Sequence, residues 1–195
     1  MANLLADKTF RPSPALVFVV GAALALTTAC AGDPPVAPTA ESDISAQLAG
    51  QPSPAATGQA IATLRRATAR YHNLNAALAD GFVFLHGCEV RPGEGAVGTV
   101  YVHIDRLMDG VVDPSLPDAL VYEPGANGRE RPTLVAVEFA VPQALWTAPE
   151  PPTFLGASFQ PEEEFGVFGL HVWVWRNNPD GLFAEANPRV SCGVE

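Results

Sequence analysis

Lysine is almost missing from this 195-residue chain: it occurs once, at Lys8, and every later strong base is an arginine. Eleven Lys and Arg stand against 21 Asp and Glu, a formal net charge of -10. Phosphate repels such a chain, and with no basic cluster longer than Arg65-Arg66 nucleic acid is set aside as a partner. Short spacing signatures are missing too. There is no His-Glu-x-x-His, no close His-x-His pair, no Cys-x-x-Cys and no Gly-x-Ser-x-Gly elbow, so zinc hydrolase, cupin, redox-pair and serine hydrolase chemistry lack their usual marks. Gly93-Glu94-Gly95-Ala96-Val97-Gly98 matches Gly-x-Gly-x-x-Gly in form only. It carries a glutamate and precedes a predicted strand where a dinucleotide site needs a helix, so its glycines read as turn and bulge positions. No internal repeat is apparent.

The three cysteines carry the most information. Residues 15–29 are apolar or small, follow Lys8 and Arg11, and are too short for a comfortable membrane span, the pattern of a signal peptide over residues 1–29. Leu26-Thr27-Thr28-Ala29-Cys30 resembles the lipobox of bacterial lipoproteins, with leucine one position farther from the cysteine than usual. Ala29-Cys30-Ala31 also reads as a site for ordinary signal peptidase, which would discard Cys30. The expected location is thus the cell envelope, with attachment only through a lipid on Cys30, or a secreted soluble form. Loss of Lys8, Arg11 and Asp7 with the leader takes the net charge from -10 to -11. On either reading Cys88 and Cys192 remain as an even pair in an oxidising compartment, where a disulfide is expected. Closing a loop of about a hundred residues stabilises by roughly 4 to 5 kcal/mol in the chain-entropy model.

Residues 30–57 are rich in Pro, Ala, Ser, Thr and Gly without a sustained apolar period, which predicts a tether spanning on the order of 30 Å. A single domain follows over residues 58–195. Ile61, Leu64, Thr68, Tyr71, Asn75 and Leu78 recur at helical steps and predict one amphipathic helix over residues 58–79, ended by Asp80-Gly81. Short β-rich runs then cover 82–86, 97–104, 119–122, 133–141, 154–159 and 167–175. Asn127-Gly128 between two of them is a strong hairpin signal. The expected fold is α+β, an N-terminal amphipathic helix packed on a mainly antiparallel sheet with one disulfide.

The C-terminal run Leu170-His171-Val172-Trp173-Val174-Trp175-Arg176-Asn177-Asn178-Pro179-Asp180-Gly181-Leu182-Phe183-Ala184, continued by Asn187-Pro188-Arg189-Val190-Ser191-Cys192, resembles the closing signature of a family of functionally uncharacterised bacterial exported proteins. Ala79-Asp80-Gly81-Phe82, Cys88, Leu120-Val121-Tyr122-Glu123-Pro124 and Val135-Ala136-Val137-Glu138-Phe139 resemble it as well, so the likeness spans the whole domain. It implies export and brings no established activity. Members read Met-Gly-x-His-Tyr where this chain has Val97-Gly98-Thr99-Val100-Tyr101, so Val100 replaces a histidine. His103 stands three residues later, where the pattern has asparagine.

Histidine and carboxylate supply the remaining candidates for chemistry. Alternation along a strand puts His171, Trp173 and Trp175 on one face, which can hold a planar or apolar ligand or serve as a packed structural face. If neighbouring strands converge, His171 can join His103 and Glu138 around a divalent transition metal, the alternative to a domain with no cofactor. His72 reads as an exposed helix-edge residue, His86 and Glu89 as flanks of a loop held by Cys88, and Glu162-Glu163-Glu164 as a solvated loop. Asp109, Asp113 and Asp118 fail the EF-hand spacing and fit turns. The closing segment is expected to tie back to Cys88 and cover an open sheet edge. The reading favoured is a binding or structural module, against a metal-dependent enzyme using a His/Glu site. A third class is a subunit of an envelope assembly. The partner is then an unidentified ligand or an envelope protein.

Overall fold

The computed structural model describes residues 52–125 and 131–193. The leader, Cys30, most of the tether and the Asn127-Gly128 turn lie outside the described residues. Helix α1 (Pro54–Thr68) begins four residues before the expected start at residue 58, because Ser53 caps it: its Oγ accepts from the Ala56 N–H at 3.2 Å, and Pro54 occupies a position that needs no donor. The helix does not run on to residue 79. A 3₁₀ turn (Ala69–His72) and a separate α2 (Leu74–Ala79) follow it. The break has local causes. Thr68 Oγ1 donates back to the Leu64 carbonyl at 2.8 Å, and Asn73, extended in backbone, caps α2 by accepting from the Asn75 N–H at 3.1 Å. Leu64, Thr68 and Tyr71 are buried as their spacing predicts, but the altered phase turns Ala77 inward and leaves Leu78 45% exposed.

Strands β1 (Val83–His86), β4 (Thr99–Val102), β5 (Ala119–Glu123), β6 (Thr133–Pro142), β9 (Gln160–Glu162) and β10 (Val167–Val172) form a six-stranded sheet in the order β1-β4-β5-β6-β10-β9. Every pairing in it is antiparallel. Two short hairpins stand apart, β2 (Val90–Arg91) with β3 (Gly95–Ala96), and β7 (Thr153–Phe154) with β8 (Ala157–Ser158). The continuous strand expected over 154–159 is thus folded on itself at Leu155 and Gly156, both with positive φ. The run 97–104 also ends early, giving way after His103 to a single helical turn, α3 (Ile104–Leu107).

One sheet face carries Leu120, Tyr122, Val137, Phe139, Leu170 and Val172, and packs with Leu64, Tyr71 and Phe82 from the helical segment and Phe154 and Phe159 from the β7–β8 region. Burial of each large apolar side chain contributes about 1.5 to 3 kcal/mol. Tyr122 Oη, also buried, donates to the Tyr71 carbonyl at 2.7 Å. The other face carries Val100, Val102, Ala119, Val121, Ala136 and Trp173, covered by Ala96, Val97 and Val190. Leu107 of the single-turn α3 packs at this second cover, which otherwise consists of the β2–β3 hairpin and the closing segment, joined by reciprocal backbone hydrogen bonds between Ala96 and Asn187 and by the Cys88–Cys192 disulfide. Gly95 has φ +110°, and a Cβ there would overlap the Asn187 backbone, so the two pieces meet only because that position is glycine. The closing segment therefore covers a face. The sheet edges are β1 and β9, and β1 leaves Val83, Phe84 and Leu85 exposed. No helix among the described residues is long and apolar enough to cross a membrane.

Candidate functional site

Antiparallel register places His171 of β10 directly opposite Glu138 of β6. Side chains at directly paired positions share a sheet face, so both project onto the loop-covered side, alongside Ala119, which pairs with Glu138 in turn. His171 Nε2 lies 3.7 Å from Glu138 Oε2, and His171 Nδ1 lies 4.0 Å from Glu185 Oε2 in the closing segment. His171 and Glu138 are 5% and 6% exposed, and neither imidazole nitrogen has a hydrogen-bond partner among the described residues. An orphaned buried imidazole is unusual enough to require an explanation.

A third carboxyl arrives from the sheet edge. Glu162 ends β9 opposite Val167, and its side chain crosses the top of Gly169 to reach Glu138. Gly169 sits in the middle of β10 with ordinary extended backbone, so its role is space: a Cβ there would overlap Glu162 Oε1 and lie 3.0 Å from Glu138 Oε1. These groups line a cavity of about 460 Å³ whose remaining wall includes His86, Glu89 and Glu164. Arg91 is the one guanidinium on that wall, 3.7 Å from carboxylate oxygens of both Glu89 and Glu185. His86 stacks on Phe165 with ring centroids 5.7 Å apart.

Burial dominates the electrostatics. It pushes Glu138 well above the ordinary carboxylate range, and the adjacent Glu162 carboxyl pushes it further. Burial raises Glu162 and Glu185 as well, with Glu185 adding to the effect on Glu162. Burial lowers His171 to about 4, helped by the positive charge of Arg91 and by His86. Burial thus disfavours the charged forms of both Glu138 and His171, which face each other at 3.7 Å and line the cavity with Glu162 and Glu185, a cluster of oxygens and nitrogens able to take up a cation or a proton.

The sequence-predicted residues divide. Glu138 and His171 come together. His103 does not join them: it follows Val102, which shares the Glu138 face, so its own side chain turns to the helix-covered side, edge-on to Phe82 at 5.3 Å and against Gly81. Trp173 shares the His171 side, its ring 6.2 Å from the imidazole and nearly parallel to it, and its Nε1 donates to the Ala184 carbonyl at 2.6 Å. Trp175 does not. Strand β10 ends at Val172, the Val174 N–H bonds the Val172 carbonyl, and the alternation is lost. Trp175 consequently packs on the helical layer, donating to Thr68 Oγ1 at 3.1 Å and meeting the His72 ring at 4.3 Å.

Three members of the site were read from sequence as something else. His86 and Glu89 were expected as loop flanks and line the cavity, while Glu162, expected in a solvated loop, turns inward. Gly169 and Glu185 were not singled out, although a glycine within an otherwise apolar strand is itself a signal of close approach. Asp109 and Asp113 serve as turn residues, accepting from the Val111 and Ser115 N–H groups at 2.7 Å each. Among the described residues no set of three His, Cys, Asp or Glu side chains already stands at metal-binding separation. No family model, curated protein or solved structure matches the chain.

Proposed function

We propose that this chain is an exported binding protein, lipid-anchored through Cys30 or released by an ordinary signal peptidase that discards Cys30, whose cavity takes a cationic ligand. It belongs, on this reading, with the exported proteins whose closing signature its own residues 170–192 resemble. The observation that carries the binding role is a buried imidazole without partners facing Glu138, with Glu162 and Glu185 beside it. A structural face would pair these groups with each other or with backbone, since unpaired buried polar atoms cost about 1 to 3 kcal/mol each. A ligand donating charge or hydrogen bonds relieves that penalty on binding. The disulfide and the signal-peptide pattern are consistent with export to an oxidising compartment.

Calorimetric titration of the mature protein with divalent metal ions, spermidine and guanidinium provides the test. At least one of these should bind at one per chain, and Glu138→Gln should weaken it at least tenfold. Absence of saturable binding by all of them, or binding that Glu138→Gln leaves unchanged, would overturn the role. Mass measurement of the mature N-terminus checks the address: a diacylglycerol-modified Cys30 is expected for the anchored form, and an unprocessed leader would refute export.

A further inference from the structure

We infer that the cation is a divalent first-row transition metal held by His171 Nε2 with the Glu138 and Glu162 carboxylates, and that Glu185 is the outer carboxylate that orients the His171 ring through Nδ1. The inference rests on the cation-binding reading above and names the ligand class. Ring geometry assigns the two roles. Glu138 lies on the Nε2 side of the imidazole and Glu185 on the Nδ1 side, so one ion cannot use both carboxylates with the same histidine. A metal-bound histidine commonly donates its other N–H to a carboxylate, which matches the position of Glu185. Glu162 then supplies the third donor, because the gap over Gly169 brings its carboxyl against Glu138.

One of the three donor separations is already close to that of two donors on one ion. Two donors bound to one zinc ion at about 2.0 to 2.1 Å in tetrahedral geometry stand about 3.4 Å apart. The observed Nε2 to Oε2 separation is 3.7 Å. One imidazole and two carboxylates form a mixed nitrogen and oxygen set, suited to zinc, iron, cobalt or manganese and poorly suited to the soft ion Cu(I). His103, the histidine expected in such a site from sequence, is replaced by Glu162. The remaining coordination positions face the cavity, open to water or a small anion. An organic cation lacks this requirement for Nε2: it needs the carboxylates but not the imidazole lone pair.

The experiment uses the mature protein prepared without a chelating tag, stripped of metal and titrated separately with Zn²⁺ and Co²⁺. Expected are one ion per chain after dialysis, visible Co²⁺ absorption bands of a mixed nitrogen and oxygen site, and loss of at least 100-fold in affinity in Glu138→Gln, Glu162→Gln and His171→Gln. Glu185→Gln should weaken binding by 10- to 100-fold. Glu164→Gln, on the same cavity wall, should leave it unchanged. Glutamine matches glutamate in size and shape, so these variants should fold. Gly169→Ala gives an independent check, since it displaces Glu162 without removing a donor and should also abolish the Co²⁺ bands. Absence of Zn²⁺ and Co²⁺ binding, or equal weakening by Glu164→Gln and Glu162→Gln, overturns the metal. If spermidine or guanidinium still binds in a Glu138-dependent manner, the metal inference alone has failed; if nothing binds, both readings have.

Discussion

The two faces of the sheet are built from the same strands and solve burial in opposite ways. On the helix-covered face the row Leu120, Val137, Val172 and the pairs Tyr122 with Leu134 and Phe139 with Leu170 are apolar or aromatic, and helical segments with matching residues close over them. On the other face an apolar patch around Val100, Val121 and Ala136 gives way toward β9 to Glu138, His171 and Glu162. Its cover has little secondary structure and depends on turn hydrogen bonds and a covalent link: Asn178 Nδ2 donates to the Ala186 carbonyl, the Arg189 N–H to Asn187 Oδ1, and Cys88 is bonded to Cys192. The first face is stabilised by area removed from water. The second gives up some of that area for polar groups, and a crosslink supplies what the smaller core does not.

Breaking the crosslink should therefore have the largest effect. Replacing Cys88 and Cys192 together by serine is expected to lower unfolding stability by about 4 to 5 kcal/mol, read from urea midpoints, for a closure that spans 104 residues. A loss below about 1 kcal/mol would mean that the loops hold themselves in place. On the opposite face, Leu120→Ala is expected to cost about 2 to 5 kcal/mol through the cavity left at a fully buried site. Cation binding at the far face should survive it. Equal damage to stability and binding would dissolve the distinction between the two layers.

A smaller effect comes through pH. Asp118 is buried, with Oδ2 accepting from the Ala140 N–H at 2.9 Å and Oδ1 unpaired among the described residues, and burial raises it to about 7. Between about pH 4 and 7 the folded domain holds this proton and the unfolded chain does not, so the Asp118 contribution to stability falls as pH rises. Raised Glu138, Glu162 and Glu185 act in the same direction. His171 acts oppositely: neutral in the fold down to about 4 but protonated below about 6.5 when unfolded, it adds stability as pH rises through that window. Asp118→Asn should therefore remove about 2 kcal/mol of the stability change between pH 5 and 7. An unchanged pH slope in that variant would place the titration elsewhere.

Sequence pattern located what repeats and missed what depends on phase between strands. The runs around Leu120, Val137 and Leu170 were legible because β-rich runs bounded by turn residues mark a strand locally. Cys88 and Cys192 were legible by parity and compartment. The Glu138 and His171 pairing was legible only as a conditional, since register is a property of two strands together. His103 failed for the same reason: one step along β4 reverses the face, and nothing within residues 97–104 fixes that step relative to β6. Trp175 failed because a backbone turn after Val172 breaks the alternation without a proline or glycine to announce it. Glu162 failed because acidic runs are usually solvated, and its inward turn depends on the missing side chain at Gly169, seven residues away.

The Cys88–Cys192 bond also turns the chain topologically into a ring with two tails. Glu138, Glu162, His171 and Glu185 all lie on that ring. A protease that cuts the backbone once between the two cysteines leaves every residue still covalently joined to every other. The nicked molecule would keep its full mass on a non-reducing gel and separate into two fragments only after reduction. A first cut within the ring would therefore cause no loss of parts, and the molecule would come apart only at the second.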